Sequence, residues 1–167
     1  MGTPVTVRPA TTADLGAVAD IYAHYVRSGV ATFEVDPPTR DELSSRLGGV
    51  TAVGLPYLVA EIDGQVAGYA YCAPWKTRPA YRFTAEDSVY VAPHATGRGI
   101  GGALLDALLE HCAAAGIRQV IAVIVDADAT GSLTLHRRRG FVDAGRLSAV
   151  GFKHDRWLDT ILLQRTL

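Results

Sequence analysis

The sequence predicts an α/β fold, a mixed and mostly antiparallel sheet packed by helices, on three observations. Residues 57–62 and 65–72 alternate as strands around Asp63-Gly64, a dipeptide suited to a hairpin turn. Residues 120–125 form a near-continuous apolar run, as expected of a buried central strand. Between and around these lie segments whose apolar residues recur at helical spacing.

The elements follow in order. Residues 5–8 read as a short strand. Thr11 or Thr12 then caps a helix carrying Leu15, Val18, Ile21, Tyr22, Tyr25 and Val26, which ends before Gly29. Thr39 and Glu42 have the spacing of a capping box for a shorter helix with Leu43 and Leu47, expected to stop at Gly48-Gly49. After the hairpin, residues 75–82 ("WKTRPAYR") read as a loop and residues 83–91 as a third antiparallel strand. A Gly-rich stretch, "TGRGIGG", opens a helix with Leu104, Leu105, Leu108 and Leu109 on its inner side and Gly116 at its end. A further helix is expected over residues 132–139, ending at Gly140. Two last strands, 141–147 and 157–165, are expected to flank a loop, "SAVGFKHDR".

Composition narrows the function classes. With 167 residues the chain reads as one domain, long enough to bury roughly two thirds of its unfolded surface. Hydrophobic residues make up 49%, and 16 Lys and Arg against 17 Asp and Glu leave no basic excess for a nucleic acid. No run reaches the ~18 apolar residues of a membrane span, and no basic region followed by an apolar run marks a signal peptide. Met1-Gly2 with Thr6 fits a loose myristoylation pattern, without a second anchoring signal. The two cysteines, Cys72 and Cys112, have no His or Cys at metal-ligand spacing, so both are read as reduced core thiols of a cytoplasmic protein.

Gly97, Gly99 and Gly102 satisfy G-x-G-x-x-G, the dinucleotide spacing, and Asp126 follows the next strand. A nicotinamide site, however, needs the first glycine to close its strand directly inside a strand-helix-strand unit. Here residues 92–96, with Pro93, intervene after an antiparallel meander. What remains is a phosphate cradle: four glycines in six residues expose backbone N–H groups at a helix N-terminus, and Arg98 adds a positive charge. The competing reading is a tight loop with no ligand. No Lys-Ser or Lys-Thr follows, so a nucleotide triphosphatase loop is not supported.

The strand "SVYV", a Pro-containing connector, "TGRGIG" and an amphipathic helix together resemble the acyl-CoA-binding motif of the GNAT acetyltransferases. "EDSVYV", "LHRRRGF" and "GFKHDRWLD" look like the phosphinothricin acetyltransferase branch, whose members acetylate the α-amine of small amino acids and analogues such as methionine sulfone. The resemblance covers nearly the whole chain. It implies acetyl-CoA as acetyl donor, no metal, a small-molecule amine as partner and a homodimer.

Residue by residue, the resemblance implies that Gly97, Arg98, Gly99, Ile100, Gly101 and Gly102 hold the pyrophosphate, with Ser132 near the cofactor. Val89, Tyr90 and Val91 form the strand whose backbone pairs with the pantetheine arm, and a backbone N–H there faces the thioester oxygen. Amine attack makes a tetrahedral oxyanion, and one such preorganised donor is worth about 3 kcal/mol. Glu86 matches the proposed general base, on the same strand face as Ser88 and Tyr90 and opposite Asp87, Val89 and Val91. Its plainer reading is an exposed strand charge. His136 takes the place of a tyrosine proposed to protonate the departing thiolate, or serves as a second base; otherwise it is a satisfied helix histidine. Lys76, Thr77 and Arg78, with Glu86 and Asp87, are implied acceptor contacts, where a cation pairs with a carboxylate or phosphinate; otherwise they belong to a solvated loop. Phe33, Tyr81 and Lys153 are weaker candidates. The chain departs from the family at Ala129, where Asn is common, and at Thr96, where Gln or Arg is common; Asp128 stands beside the first. Other readings are acetylation of a protein lysine or another metabolite amine, and a non-catalytic acyl-CoA sensor.

Overall fold

The computed structural model describes residues 3–167; Met1 and Gly2, and with them the myristoylation pattern, lie outside the described residues. Seven strands form one sheet: β1 (Thr6–Pro9), β2 (Tyr57–Ile62), β3 (Gln65–Pro74), β4 (Thr84–Val91), β5 (Gln119–Val125), β6 (Val142–Lys153) and β7 (Arg156–Thr166). Their order across the sheet is β1-β2-β3-β4-β5-β7-β6. Every neighbouring pair is antiparallel except β4 and β5.

That parallel pair is short. It holds only at Thr84 with Gln119, Ala85 with Val120 and Glu86 with Ile121, after which the strands run on unpaired to Val91 and Val125. The sheet is therefore split along its middle, and the split creates the site.

Four helices cover the sheet: α1 (Leu15–Ser28), α2 (Arg40–Ala52), α3 (Ile100–Ala114) and α4 (Thr130–Arg137). The leucines expected on the inner side of α3, Leu104, Leu105, Leu108 and Leu109, are all buried, each stabilising the fold by about 2 kcal/mol relative to exposure. The helix can approach β3 closely because residue 68 is glycine: a Cβ there would stand 3.0 Å from Ile100 Cγ2 and 3.1 Å from Leu104 Cδ1. On the opposite face α1 lays Tyr22 and Tyr25 against Tyr90, and Tyr90 stacks on Tyr69. A turn at Thr12–Asp14 leads into α1. Asp14 accepts from the Thr11 N–H at 2.7 Å and pairs with Arg8 of β1, whose hydrogen bond, helped by the Thr11 N–H and the Arg8 charge, holds the Asp14 carboxyl down at about 2.

The structure corrects the sequence reading in two places. The Gly48-Gly49 stop does not occur, and α2 continues through both glycines to Ala52, with the left-handed turn falling at Gly54 (φ 78°). Each helical glycine costs about 1 kcal/mol against alanine. Burial of Val50 beside Leu43 and Leu47 offsets that cost. The expected loop "SAVGFKHDR" is mostly strand: β6 runs to Lys153, and only His154 and Asp155, at φ 50° and 57°, make the turn into β7. Short polar side chains tolerate that left-handed conformation. A bulge between Leu147 and Gly151 breaks the alternation that would have marked the strand, and there the Ala149 N–H donates to Asp159 Oδ1 at 2.7 Å.

Candidate active site

A cavity of about 740 Å³ occupies the split between β4 and β5, with residues of both sheet faces in its walls. On the α3 side lie the Gly-rich loop, Asp87, Val89, Val91, Leu135 and His136; on the α1 side lie Glu86, Ser88, Tyr90, Tyr25, Phe33 and Thr160. Strand alternation produces this division, and it matches the two faces read from the sequence of β4.

The loop is shaped by its glycines. Gly97 and Gly99 adopt φ of 75° and 81°, a left-handed backbone in which a Cβ is strained. Gly99 caps α3, and the first helical hydrogen bond runs from the Ala103 N–H to the Gly99 carbonyl. The N–H groups of Ile100, Gly101 and Gly102 thus have no partner within the helix. Gly101 fits between Val91 and Leu135, where a Cβ would meet their methyl carbons at 3.6 and 3.4 Å. Donors at a helix N-terminus beside an open strand edge form a cradle for a phosphorylated ligand.

Glu86 is half-buried at the end of the paired part of β4. Burial raises its pKa above the ordinary carboxylate value, the neighbouring Asp87 raises it further, and the Lys76 charge opposes both. A carboxyl group raised this way holds a proton more readily than an ordinary exposed one, as a proton-accepting group in a site requires.

Asp87 points to the other face and meets His136, with 2.8 Å between Oδ2 and Nε2. His136 Nδ1 lies 2.8 Å from the Ser132 carbonyl. A carbonyl only accepts, so Nδ1 carries a hydrogen, and Nε2 and Asp87 hold one further proton between them. Burial depresses the His136 pKa, but the Asp87 hydrogen bond and charge, with the Ser132 carbonyl, raise it more. Both ring nitrogens of His136 are thus hydrogen-bonded, and its carboxylate partner lies 49 residues away, beyond the reach of any local pattern.

Of the residues singled out in the sequence, Glu86, Asp87, Val89, Tyr90, Val91, Gly97, Gly99, Ile100, Gly101, Gly102, Ser132 and His136 all line the cavity, as do Thr96, Asp128, Ala129 and Phe33. Arg98, Lys76, Thr77, Arg78 and Tyr81 are exposed and outside its walls, and Lys76 Nζ lies 4.8 Å from the Trp75 ring centre. Lys153 is buried, also outside the walls, and its Nζ donates to the Thr32 carbonyl at 2.8 Å. Phe33 packs over Gly151, where a Cβ would collide with the ring. Sequence reasoning passed over Tyr25 and Thr160. Tyr25 looks like any apolar position of α1, yet its hydroxyl donates to the Val91 carbonyl at the open edge of β4. Among the described residues no three His, Cys, Asp or Glu side chains form a metal-binding group, and no helix is long and apolar enough to cross a membrane.

Comparison with known proteins agrees with this geometry. The chain is 52% identical, over 97% of its length and 82% of the relative's, to a phosphinothricin N-acetyltransferase of Alcaligenes faecalis. It is 32% identical, over 98% of its length and 95% of the relative's, to an L-methionine sulfoximine/L-methionine sulfone acetyltransferase of Salmonella typhimurium. Among solved structures, a GNAT superfamily phosphinothricin acetyltransferase of Sinorhizobium meliloti, in complex with AcCoA, superposes with a TM-score of 0.93 at 48% identity, covering 98% of this chain and 88% of that one. The sequence pattern of the acetyltransferase (GNAT) family matches residues 18–141, and with a split sheet, a Gly-rich helix start and relatives of this kind, the chain belongs to that family.

Proposed function

We propose that the chain transfers acetyl from acetyl-CoA to the α-amine of a small amino acid or an analogue such as phosphinothricin or methionine sulfone. The observation that carries this reading is the cavity through the split sheet, with the Gly-rich loop on one face and Glu86 on the other. Acetyl-CoA supplies a thioester carbonyl open to attack by an uncharged amine.

In this reading Gly97, Arg98, Gly99, Ile100, Gly101 and Gly102 bind the pyrophosphate through helix N-terminal donors, with Ser132 beside them. The edge of β4 at Val89, Tyr90 and Val91, unpaired beyond Glu86, offers backbone groups to the pantetheine arm, and an N–H there stabilises charge on the thioester oxygen. Glu86 removes the amine proton, directly or through water. His136 protonates the departing sulfur by giving up the hydrogen bond between its Nε2 and Asp87. Lys76 bears on the site through its charge on Glu86, Thr77 and Arg78 of the same exposed loop contact the acceptor at the mouth of the cavity, and Asp87 acts through His136.

The chain acts as a homodimer. The support is the exposed apolar side chains of the β6–β7 hairpin, Phe152 and Trp157 on one face, Trp157 at 71%, and Val142 and Leu147 on the other. It works in the cytoplasm, where Cys72 and Cys112, with 3.0 Å between their sulfur atoms, stay reduced.

The test is thiol release from acetyl-CoA across a panel of amino acids, glutamate analogues and peptide amines. Release with phosphinothricin or methionine sulfone that disappears in Glu86→Gln supports the reading. Release with none of them overturns it.

A further inference from the structure

Among the described residues two buried side-chain atoms have no hydrogen-bond partner, Asp87 Oδ1 and Thr160 Oγ1, and both residues line the same cavity. Asp87 has at least His136 on its other oxygen. Thr160 is 3% exposed, and its only polar side-chain atom is unpaired. A buried hydroxyl without a partner is unfavourable, and valine has nearly the same shape. A strand that needed only packing at this position would be better served by valine.

The position of Thr160 indicates what its hydroxyl is for. Thr160 pairs with Val125, and Ile121, on the same face of β5, pairs with Glu86. Alternation therefore puts Thr160 and Glu86 on one face of the sheet, Thr160 toward the open end of the split. Val125 and Phe33 share the lining with it, as do the polar side chains of Thr32 and Ser88, and the buried cation Lys153 is committed to the Thr32 carbonyl. A few polar groups in a largely apolar wall fix the orientation of a small ligand. An acceptor with its amine toward Glu86 keeps its α-carboxylate, one carbon away, near that residue too. The polar group that extends away is the one on its side chain.

We infer that Thr160 is a specificity-determining residue, whose hydroxyl donates a hydrogen bond to an oxygen bound to phosphorus or sulfur on the acceptor side chain. This rests on the acetyl-transfer reading above.

The experiment compares Thr160→Val and Thr160→Ser with the wild-type enzyme on phosphinothricin, methionine sulfone and methionine, which lacks the side-chain oxygens. Thr160→Val raises KM for the first two about tenfold or more, the loss expected for one hydrogen bond to a polar or charged oxygen. The KM for methionine rises far less, that for acetyl-CoA stays put, and Thr160→Ser retains the preference. The melting temperature of Thr160→Val does not fall, which separates a binding role from a folding one. Equal effects on all three acceptors, or no effect, overturn the inference while leaving acetyl transfer standing. Absence of turnover by the wild-type enzyme with every amine overturns both.

Discussion

His136 and Asp87 meet at 2.8 Å with side chains only 6% and 1% exposed, tying α4 to β4 across the wall of the cavity. Removing the ring leaves Asp87 buried with no partner, so His136→Ala is expected to cost about 3 kcal/mol of stability. The cost depends on pH. The His136 pKa is raised in the folded state, so its contribution is complete below the ordinary histidine value and is lost as pH rises through the raised one. Urea unfolding of wild type and His136→Ala should therefore show a stability gap that is widest in mild acid and narrows in base. A gap independent of pH would mean that the pair carries no charge.

Glu86 and Lys76 are electrostatically coupled although Lys76 lies outside the cavity walls. If Glu86 is the base, kcat/KM falls as pH drops through its raised pKa, and Glu86→Gln removes that limb with a rate loss of about 100-fold or more. Lys76→Ala removes a charge that lowers the Glu86 pKa, so it should move the limb to higher pH without abolishing turnover. A pH–rate profile of the three proteins checks both statements. An unmoved limb in Lys76→Ala would assign the titration to another group.

Much of this architecture was legible in the chain because local signals and burial agree. Asp63-Gly64, the leucines of α3 and the apolar run of β5 each state their structure within a few residues, and the alternation of β4 by itself sets Glu86 opposite Asp87. What escaped depends on partners distant in sequence. The Gly48-Gly49 pair stays helical because Val50 packs on the core, and the β6 bulge is held by Asp159. The link of His136 to Asp87 spans 49 residues, and Thr160 is distinguished by a buried hydroxyl without a partner at a residue of the cavity wall, which no periodicity encodes.

Gly99 sits at φ 81° as the cap of α3, where any other residue pays a left-handed backbone cost of about 1–2 kcal/mol. No protein atom stands within 4 Å of a Cβ placed there, so the penalty is one of conformation and not of packing. Gly99→Ala is thus expected to shift the loop and raise KM for acetyl-CoA, with the acceptor KM little changed. Initial-rate kinetics in both substrates separate these terms. A change confined to the acceptor would place the phosphate cradle elsewhere.

Trp157 and Phe152 pair across the β6–β7 hairpin, their ring centres 4.9 Å apart, and both face solvent in the single chain. Two exposed aromatic side chains side by side on one face of the hairpin form the kind of apolar patch that a second copy covers, and aromatic residues dominate the binding energy of such contacts. Trp157→Ser combined with Phe152→Ser should shift the protein from dimer to monomer in sedimentation velocity, with the monomer still folded because neither ring contributes to the buried core. The hairpin also carries Gly151, under Phe33 of the cavity wall, and Lys153, bonded to the Thr32 carbonyl, so loss of the dimer should weaken acceptor binding before it affects the donor. A wild-type protein that sediments as a monomer at micromolar concentration would rule the dimer out and assign the patch to a different partner.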